Sequence, residues 1–307
     1  MKISKANKGI GVIKRLRQFL PRKTLLCIYK SYVRPHLDYA DIIYDQPHND
    51  KFCSKIEAVQ YNAALTITGA IRGTSRDRLY QELGLESLAD RRWFHRLVHF
   101  FKIVRGICPN YLTNLLPPMQ YSYVNRGNTI FRMYRANTDY FNNSFFPFCV
   151  KEWNNKLGEE VRASRTISKF KESLLDFIRP KMNSIYNLHD PHGLKLLTRL
   201  RLRFSHLREH KFRHNFRDTL NSLCSCGNDI ESTSHYLLRC PLYTTVRKTL
   251  YDNLKVILGQ IPNLPDDKLV NLLLYGNETY STEKNASVLS CAITFLKSSE
   301  RFNTPLF

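Results

Sequence analysis

Acidic residues are scarce in this chain: its 307 residues hold 26 Asp and Glu against 47 Lys and Arg, a formal net charge of +21. Excess cation on that scale suits a polyanionic partner. No apolar run approaches membrane-spanning length, and the opening Met1, Lys2, Ile3, Ser4 and Lys5 lack the apolar core of a signal peptide. A soluble intracellular protein with no membrane partner is therefore expected. The chain has no internal repeat and no low-complexity tract, and its 43% hydrophobic and 24% charged content excludes wholesale disorder. Eight cysteines in a chain this long make no disulfide framework. Cys27, Cys53, Cys108, Cys149 and Cys291 stand singly among apolar neighbours and read as buried, reduced thiols. No serine or histidine pattern pairs a nucleophile with a base, so no small-molecule substrate is expected.

The charge is unevenly spread. The cation excess is +11 over residues 1–120, +4 over 121–193, +6 over 194–220 and zero over 221–307. Hydrophobic periodicity and breakers divide the chain likewise, into a mainly α fold. Residues 1–120 read as a helical bundle. Ile10, Val12, Ile13, Leu16 and Leu20 form an opening helix ended by Pro21, and a second helix starts there. A third runs from Phe52 to a stop at Gly69, a short one from Asp77 to Gly84, and one capped by Ser87 with Asp90 runs to Gly106. Residues 121–193 form an aromatic connecting segment with a strand over 130–134 and a helix over 168–178. Residues 194–245 hold a basic helix and a Cys/His cluster. Residues 246–307 form a helical tail whose signals are weak after Tyr280.

The chemistry concentrates in residues 194–241. At about 100° per residue, Arg199, Arg203, His206, His210, Arg213 and Arg217 share one stripe of a helix, beside an apolar stripe of Leu197, Leu200, Phe204 and Leu207. The basic stripe reads as a nucleic-acid grip or as a solvated helix face, and residues 199–204 also alternate well enough to pass for a strand. If its four arginines each neutralise a phosphate, log affinity falls with log salt at a slope of about −3 to −4. Immediately after it, Cys224, Cys226, His235 and Cys240 supply three thiols and an imidazole in the spacing Cys-x-Cys-x8-His-x4-Cys. That donor set suits one tetrahedral, structural zinc, although the first spacing is tighter than usual and ordinary thiols are the alternative. Gly227 permits the tight turn, and Thr233 is placed to cap a short helix carrying His235.

Two further groups have plain structural readings. Asp38, Asp41 and Asp45 recur at i, i+3 and i+7, and a row on one helix cannot surround a cation, so they read as partners for cations of their own domain. The aromatics Tyr121, Tyr123, Phe131, Tyr134, Phe145, Phe146 and Trp153 are interleaved with Arg126, Arg132 and Arg135. They can stack on bases, but read first as core, with Trp153 its anchor.

Several stretches resemble one family. Residues 25–39 (LLCIYKSYVRPHLDY), 55–65 (KIEAVQYNAAL), 68–76 (TGAIRGTSR), 79–88 (LYQELGLESL), 143–147 (NSFFP) and 152–154 (EWN) are similar to the region after the palm in reverse transcriptases of jockey-type non-LTR (LINE-like) retrotransposons. Cys224, His235 and Cys240 resemble that family's carboxy-terminal Cys/His motif. The resemblance covers residues 1 to about 250. It implies a helical thumb-like bundle, a small aromatic α/β segment, and a basic helix with a zinc knuckle, from an RNA-directed DNA polymerase. The family's catalytic Tyr-x-Asp-Asp hairpin is not matched. The one Asp-Asp pair, Asp266 and Asp267, follows Leu264 and Pro265 in what reads as a polar loop. The expectation is a fragment that begins in the thumb, without palm, endonuclease or catalytic magnesium site. It would not be an enzyme by itself, and would bind RNA or single-stranded DNA non-specifically. The competing expectation is a helical protein-interaction or relic protein with no nucleic-acid role.

Overall fold

The computed structural model describes residues 2–47, 49–120, 130–178, 188 and 190–302. It is mainly helical, 66% helix with almost no strand. The opening helix, Lys2–Leu16, stops short of the expected Pro21, whereas three later boundaries follow their breakers closely. Asp50–Thr68 stops at Gly69 (φ +68°) and Arg76–Leu83 at Gly84 (φ +59°). Leu88–Val104 starts where the Ser87 hydroxyl accepts the amide of Asp90, and ends before Gly106 (φ +66°). No helix among the described residues is long and apolar enough to cross a membrane. The chain divides into two compact units, one of residues 1–9, 30–61 and 85–180, the other of residues 10–29, 62–84 and 181–307.

In the first unit the Leu88–Val104 helix is the spine, packed against Phe145–Lys156, Ile167–Ile178 and the single turn Asp41–Tyr44. Its apolar face (Leu97, Phe100, Phe101) meets a fully buried Trp153. Phe101 stacks on Phe170 at 4.2 Å between centroids, and Phe100 meets Trp153 edge-on at 5.4 Å. The aromatic segment is thus core, as its plainer reading held, with Phe131 and Trp153 buried and Tyr134, Phe145 and Phe146 half-buried against them. Tyr121, Tyr123 and Arg126 lie outside the described residues. Phe145 opens a helix that the Phe-Phe-Pro-Phe run conceals, because Pro147 reads as a breaker yet is tolerated in a first turn.

The expected strand over 130–134 shrinks to Ile130–Phe131, paired antiparallel with Met119–Gln120. The side chain of Asn154 closes the outer edge of Phe131. It accepts from the Phe131 amide at 3.1 Å and donates to the Phe131 carbonyl at 2.7 Å, occupying the edge a further strand would use.

The three aspartates do not share one helix. Pro35–Asp38 ends at Tyr39, Ala40 turns left-handed (φ +55°), and a new turn begins at Asp41. Each carboxylate nevertheless meets a basic side chain of the spine. Asp38 takes Arg91 at 2.7 Å, Asp45 takes Arg92 at 2.8 Å and Arg96 at 3.6 Å, and Asp41 takes His95.

The second unit has a leucine core. Thr282–Ser298 lies against Thr244–Leu258, Pro191–Arg201 and Asp266–Tyr275. The stretch after Tyr280 is therefore central to the unit. Its Val288, Leu289, Ala292, Ile293, Phe295 and Leu296 are buried, but interspersed Ser290, Cys291 and Thr294 blur the stripe. Asp266 and Asp267 begin a helix where a polar loop was expected, and their charge favours its N-terminus. Pro191–Arg201 starts with the Asp190 carboxylate accepting the Gly193 amide at 2.9 Å. At Gly193 a Cβ would come within 2.1 Å of Ile293 Cγ2, so only glycine lets these helices approach so closely. None of the eight cysteines is in a disulfide; of the five scattered ones only Cys149 is buried, and Cys27 faces solvent on its short helix.

Candidate metal centre

Four elements of local structure bring the Cys/His set together. Leu223 and Ile230 form a bridge, and between them the Cys224 amide donates to Asp229 O at 2.8 Å. Gly227 (φ +78°) closes that loop, its amide on Cys224 O at 3.0 Å. The Asn228 amide points at Cys226 Sγ, 3.5 Å away. A π-helical turn, His235–Arg239, follows. Its wider winding carries Cys240 back beside His235, with the Cys240 amide on His235 O at 2.7 Å. Ser232 caps that turn, accepting the His235 amide at 3.1 Å. Thr233, expected as the cap, instead meets His210 Nε2 at 3.4 Å. Arg247, buried, clamps the far end through Leu237 O at 2.9 Å and Cys240 O at 2.7 Å.

The ligand atoms of Cys224, Cys226, His235 and Cys240 all lie within 4.8 Å of one another. Cys224 Sγ is 3.6 Å from Cys240 Sγ, and Cys226 Sγ is 3.3 Å from His235 Nε2. A disulfide would need about 2.05 Å between sulfurs. Tetrahedral zinc at the usual bond lengths puts thiolate sulfurs about 3.8 Å apart and sulfur and imidazole nitrogen about 3.6 Å apart. The set fits one such ion, and with four protein donors leaves no position for water or substrate. Asp229 Oδ2 lies 3.7 Å from His235 Nδ1, beyond hydrogen-bond distance. Burial pushes the Cys224 and Cys240 thiols up, while the Asn228 amide holds Cys226 below the usual thiol range. A bound dication would bring the two raised thiols down to thiolates.

The basic stripe is dispersed. Pro191–Arg201 ends at Arg201, Arg203 turns left-handed (φ +52°), and a separate short helix spans Arg208–Arg213. The break corrects the single-helix expectation. Leu202, Phe204 and Leu207 are all buried, which a straight helix could not achieve for positions 202 and 204 together. Arg199 is buried, with Nε on Gly69 O at 3.1 Å. His206 and His210 are buried too, and burial pushes each imidazole down to about 4. His210 Nδ1 lies 2.8 Å from Ser205 Oγ. Arg203, Arg213 and Arg217 are exposed, Arg213 with Glu209 as its partner.

Several residues that shape the centre escaped notice in the sequence. Asp229, Ser232 and Arg247 are three, and Glu231 is the fourth. Its buried carboxylate accepts the Arg208 amide at 2.7 Å and grips Arg301 at 2.6 and 2.8 Å. The Ser232-x-x-His235 spacing was the one available signal, since a serine three residues ahead of a turn residue is a cap pattern.

Comparisons of the chain with family models, with curated proteins and with solved structures found no match.

Proposed function

We propose that the chain is a metal-stapled, non-catalytic nucleic-acid-binding piece of a non-LTR retrotransposon reverse transcriptase. On this reading residues 1–120 are its thumb-like bundle, which contributes 10–29 and 62–84 to the second compact unit, residues 121–193 are the aromatic segment, and 194–245 hold the basic stretch and Cys/His knuckle. The observation that carries the reading is that the ligand atoms of Cys224, Cys226, His235 and Cys240 lie within 4.8 Å of one another, in a chain of net charge +21. The motif residues behind the resemblance also occupy structural joints, which supports it. Glu57 accepts the Leu88 amide at 3.1 Å, Gln60 donates to Glu86 O at 2.8 Å, and Glu82 takes both Arg22 and Arg201 at 3.0 Å. Trp153 anchors the core and Asn154 brackets the strand. Zinc would hold the 224–240 loop against its helices, and exposed cations would bind RNA or single-stranded DNA by their phosphates.

Three measurements test this. Cobalt titration of the metal-free chain should give thiolate charge-transfer absorption at one equivalent, lost in Cys240→Ser. Fluorescence anisotropy with a labelled oligouridine at rising salt should give log affinity against log salt with a negative slope, about 0.7 per phosphate contacted. Salt-independent or absent binding removes the nucleic-acid half. Primer extension by the purified chain should give no product, and synthesis would refute the non-catalytic half. The burial of Arg199, His206 and His210 favours a second reading, a helical interaction protein whose charge only keeps it in solution. The same titration separates the two.

A further inference from the structure

The second unit contains a cavity of about 370 Å³, two of whose cations, Arg17 and Lys195, pair with no acid among the described residues. Arg17 and Lys195 line it, and Gly69, also in its wall, holds Arg199 through its carbonyl at 3.1 Å. Gly69 organises both helix cations. Its φ of +68° aims the carbonyl at Arg199 Nε, and its bare Cα admits the Lys195 stem, since a Cβ there would come 2.9 Å from Lys195 Cγ. The acid in the wall, Asp190, is already bound to Lys297 at 2.9 Å and to the Gly193 amide. Arg22, also in the wall, is bound to Glu82. Among the described residues Arg17, Lys195 and Arg199 form no ion pair. Burial lowers the Lys195 ammonium and the Arg199 guanidinium, and their mutual repulsion with Arg17 adds to it. Three cations gathered without a counter-charge are costly unless an anion comes to them. Beside them the wall is apolar, formed by Leu20, Pro21, Leu25 and Ile67.

We propose that this cavity seats one phosphate-bearing nucleotide unit, its phosphate on Arg17 and Lys195, with the buried Arg199 adding its charge from behind the Gly69 carbonyl, and its base or sugar against Leu20, Pro21, Leu25 and Ile67. The assignment deepens the nucleic-acid reading and rests on it only for a strand as the source of that unit. Cations beside an apolar wall suit a phosphate that carries a base or sugar better than a bare carboxylate, because the wall gives the attached group a surface. A free nucleotide and a nucleotide within a strand share this chemistry.

The test uses the full metal-loaded chain and labelled oligouridine in anisotropy, with Arg17→Gln, Lys195→Gln and, as a charge-matched control, Lys171→Gln on an exposed helix position of the first unit. Both cavity variants should weaken binding about three- to tenfold and reduce the salt slope by about 0.7 each, with the control unchanged. Uridine 5′-monophosphate should compete better than inorganic phosphate, and uridine should not compete. Circular dichroism confirms that each variant is folded, and Arg199 is left intact because its burial ties it to stability. Equal weakening in all three variants, or none in any, overturns the cavity assignment while leaving strand binding intact. Binding of the monophosphate, weakened by the cavity variants, with no binding of the strand would uphold the cavity and overturn the strand reading. Competition by polyglutamate but not by the monophosphate overturns the nucleotide. If the wild-type chain binds neither strand nor monophosphate, both ideas fall.

Discussion

The Leu88–Val104 and Pro191–Arg201 helices are both rich in cations, and they use them in opposite ways. On the first, Arg91, Arg92, His95 and Arg96 each meet an aspartate from the 38–45 segment. On the second, Arg201 alone finds a carboxylate, that of Glu82, while Lys195 and Arg199 find none among the described residues. Net charge counts the two helices alike. What separates a structural cation from one available to an outside anion is whether the fold has already supplied its partner.

The largest expected effect lies on the paired helix. Asp45→Ala leaves Arg92 and Arg96, 3% and 2% exposed, buried without their carboxylate. Losing one partner of a buried pair costs about 3–5 kcal/mol, to be read as a fall in the urea midpoint. If Asp45→Ala is nearly neutral, the contrast between the helices is empty. Next comes the metal. Zinc at a thousandfold its dissociation constant contributes about 4 kcal/mol. At about 2–4 °C per kcal/mol, chelation should lower the melting temperature by on the order of 10 °C. Cys240→Ser should melt low with or without chelator.

An intermediate effect follows from pH. The His206 and His210 imidazoles sit near 4 in the fold, against about 6.5 when unfolded. Between those values the unfolded chain binds more protons, so stability falls as pH drops from about 6.5 to about 4 and levels below that. His206→Asn, measured in the metal-free chain so that the thiolate centre plays no part, should flatten the urea-midpoint profile over that window. The smallest effect sharpens the comparison from the other side. Arg17 is exposed and pairs with no acid among the described residues, so Arg17→Gln should change stability by less than about 0.5 kcal/mol. A large loss would mean that Arg17 is structural after all.

Much of the helical layout was legible because its breakers are local. Gly69, Gly84, Gly106 and the Ser87 cap act within a turn of where they stand. The Cys/His cluster was legible for a similar reason, since its four ligands lie within 17 consecutive residues. The basic stripe misled because a helical wheel assumes a continuous helix, and the turn at Arg203 is forced by burial of Leu202, Phe204 and Leu207, a tertiary effect. The cation cavity was illegible for the same reason. Arg17, Gly69 and Lys195 are far apart in the chain and carry no motif, and only folding gathers them. The Thr282–Ser298 helix hid because alternating hydroxyls dilute a stripe that is plain once its neighbours are known.

The glycine contact between Gly193 and Ile293 has a consequence for synthesis on the ribosome. The Pro191–Arg201 helix emerges roughly a hundred residues before the helix that it must lie against, so its leucines wait uncovered while the Cys/His loop and three more helices are made. A message broken just short of residue 282 would yield a product with every zinc ligand and nearly every cation, yet with an open greasy seam. Such a product should be captured by chaperones or aggregate.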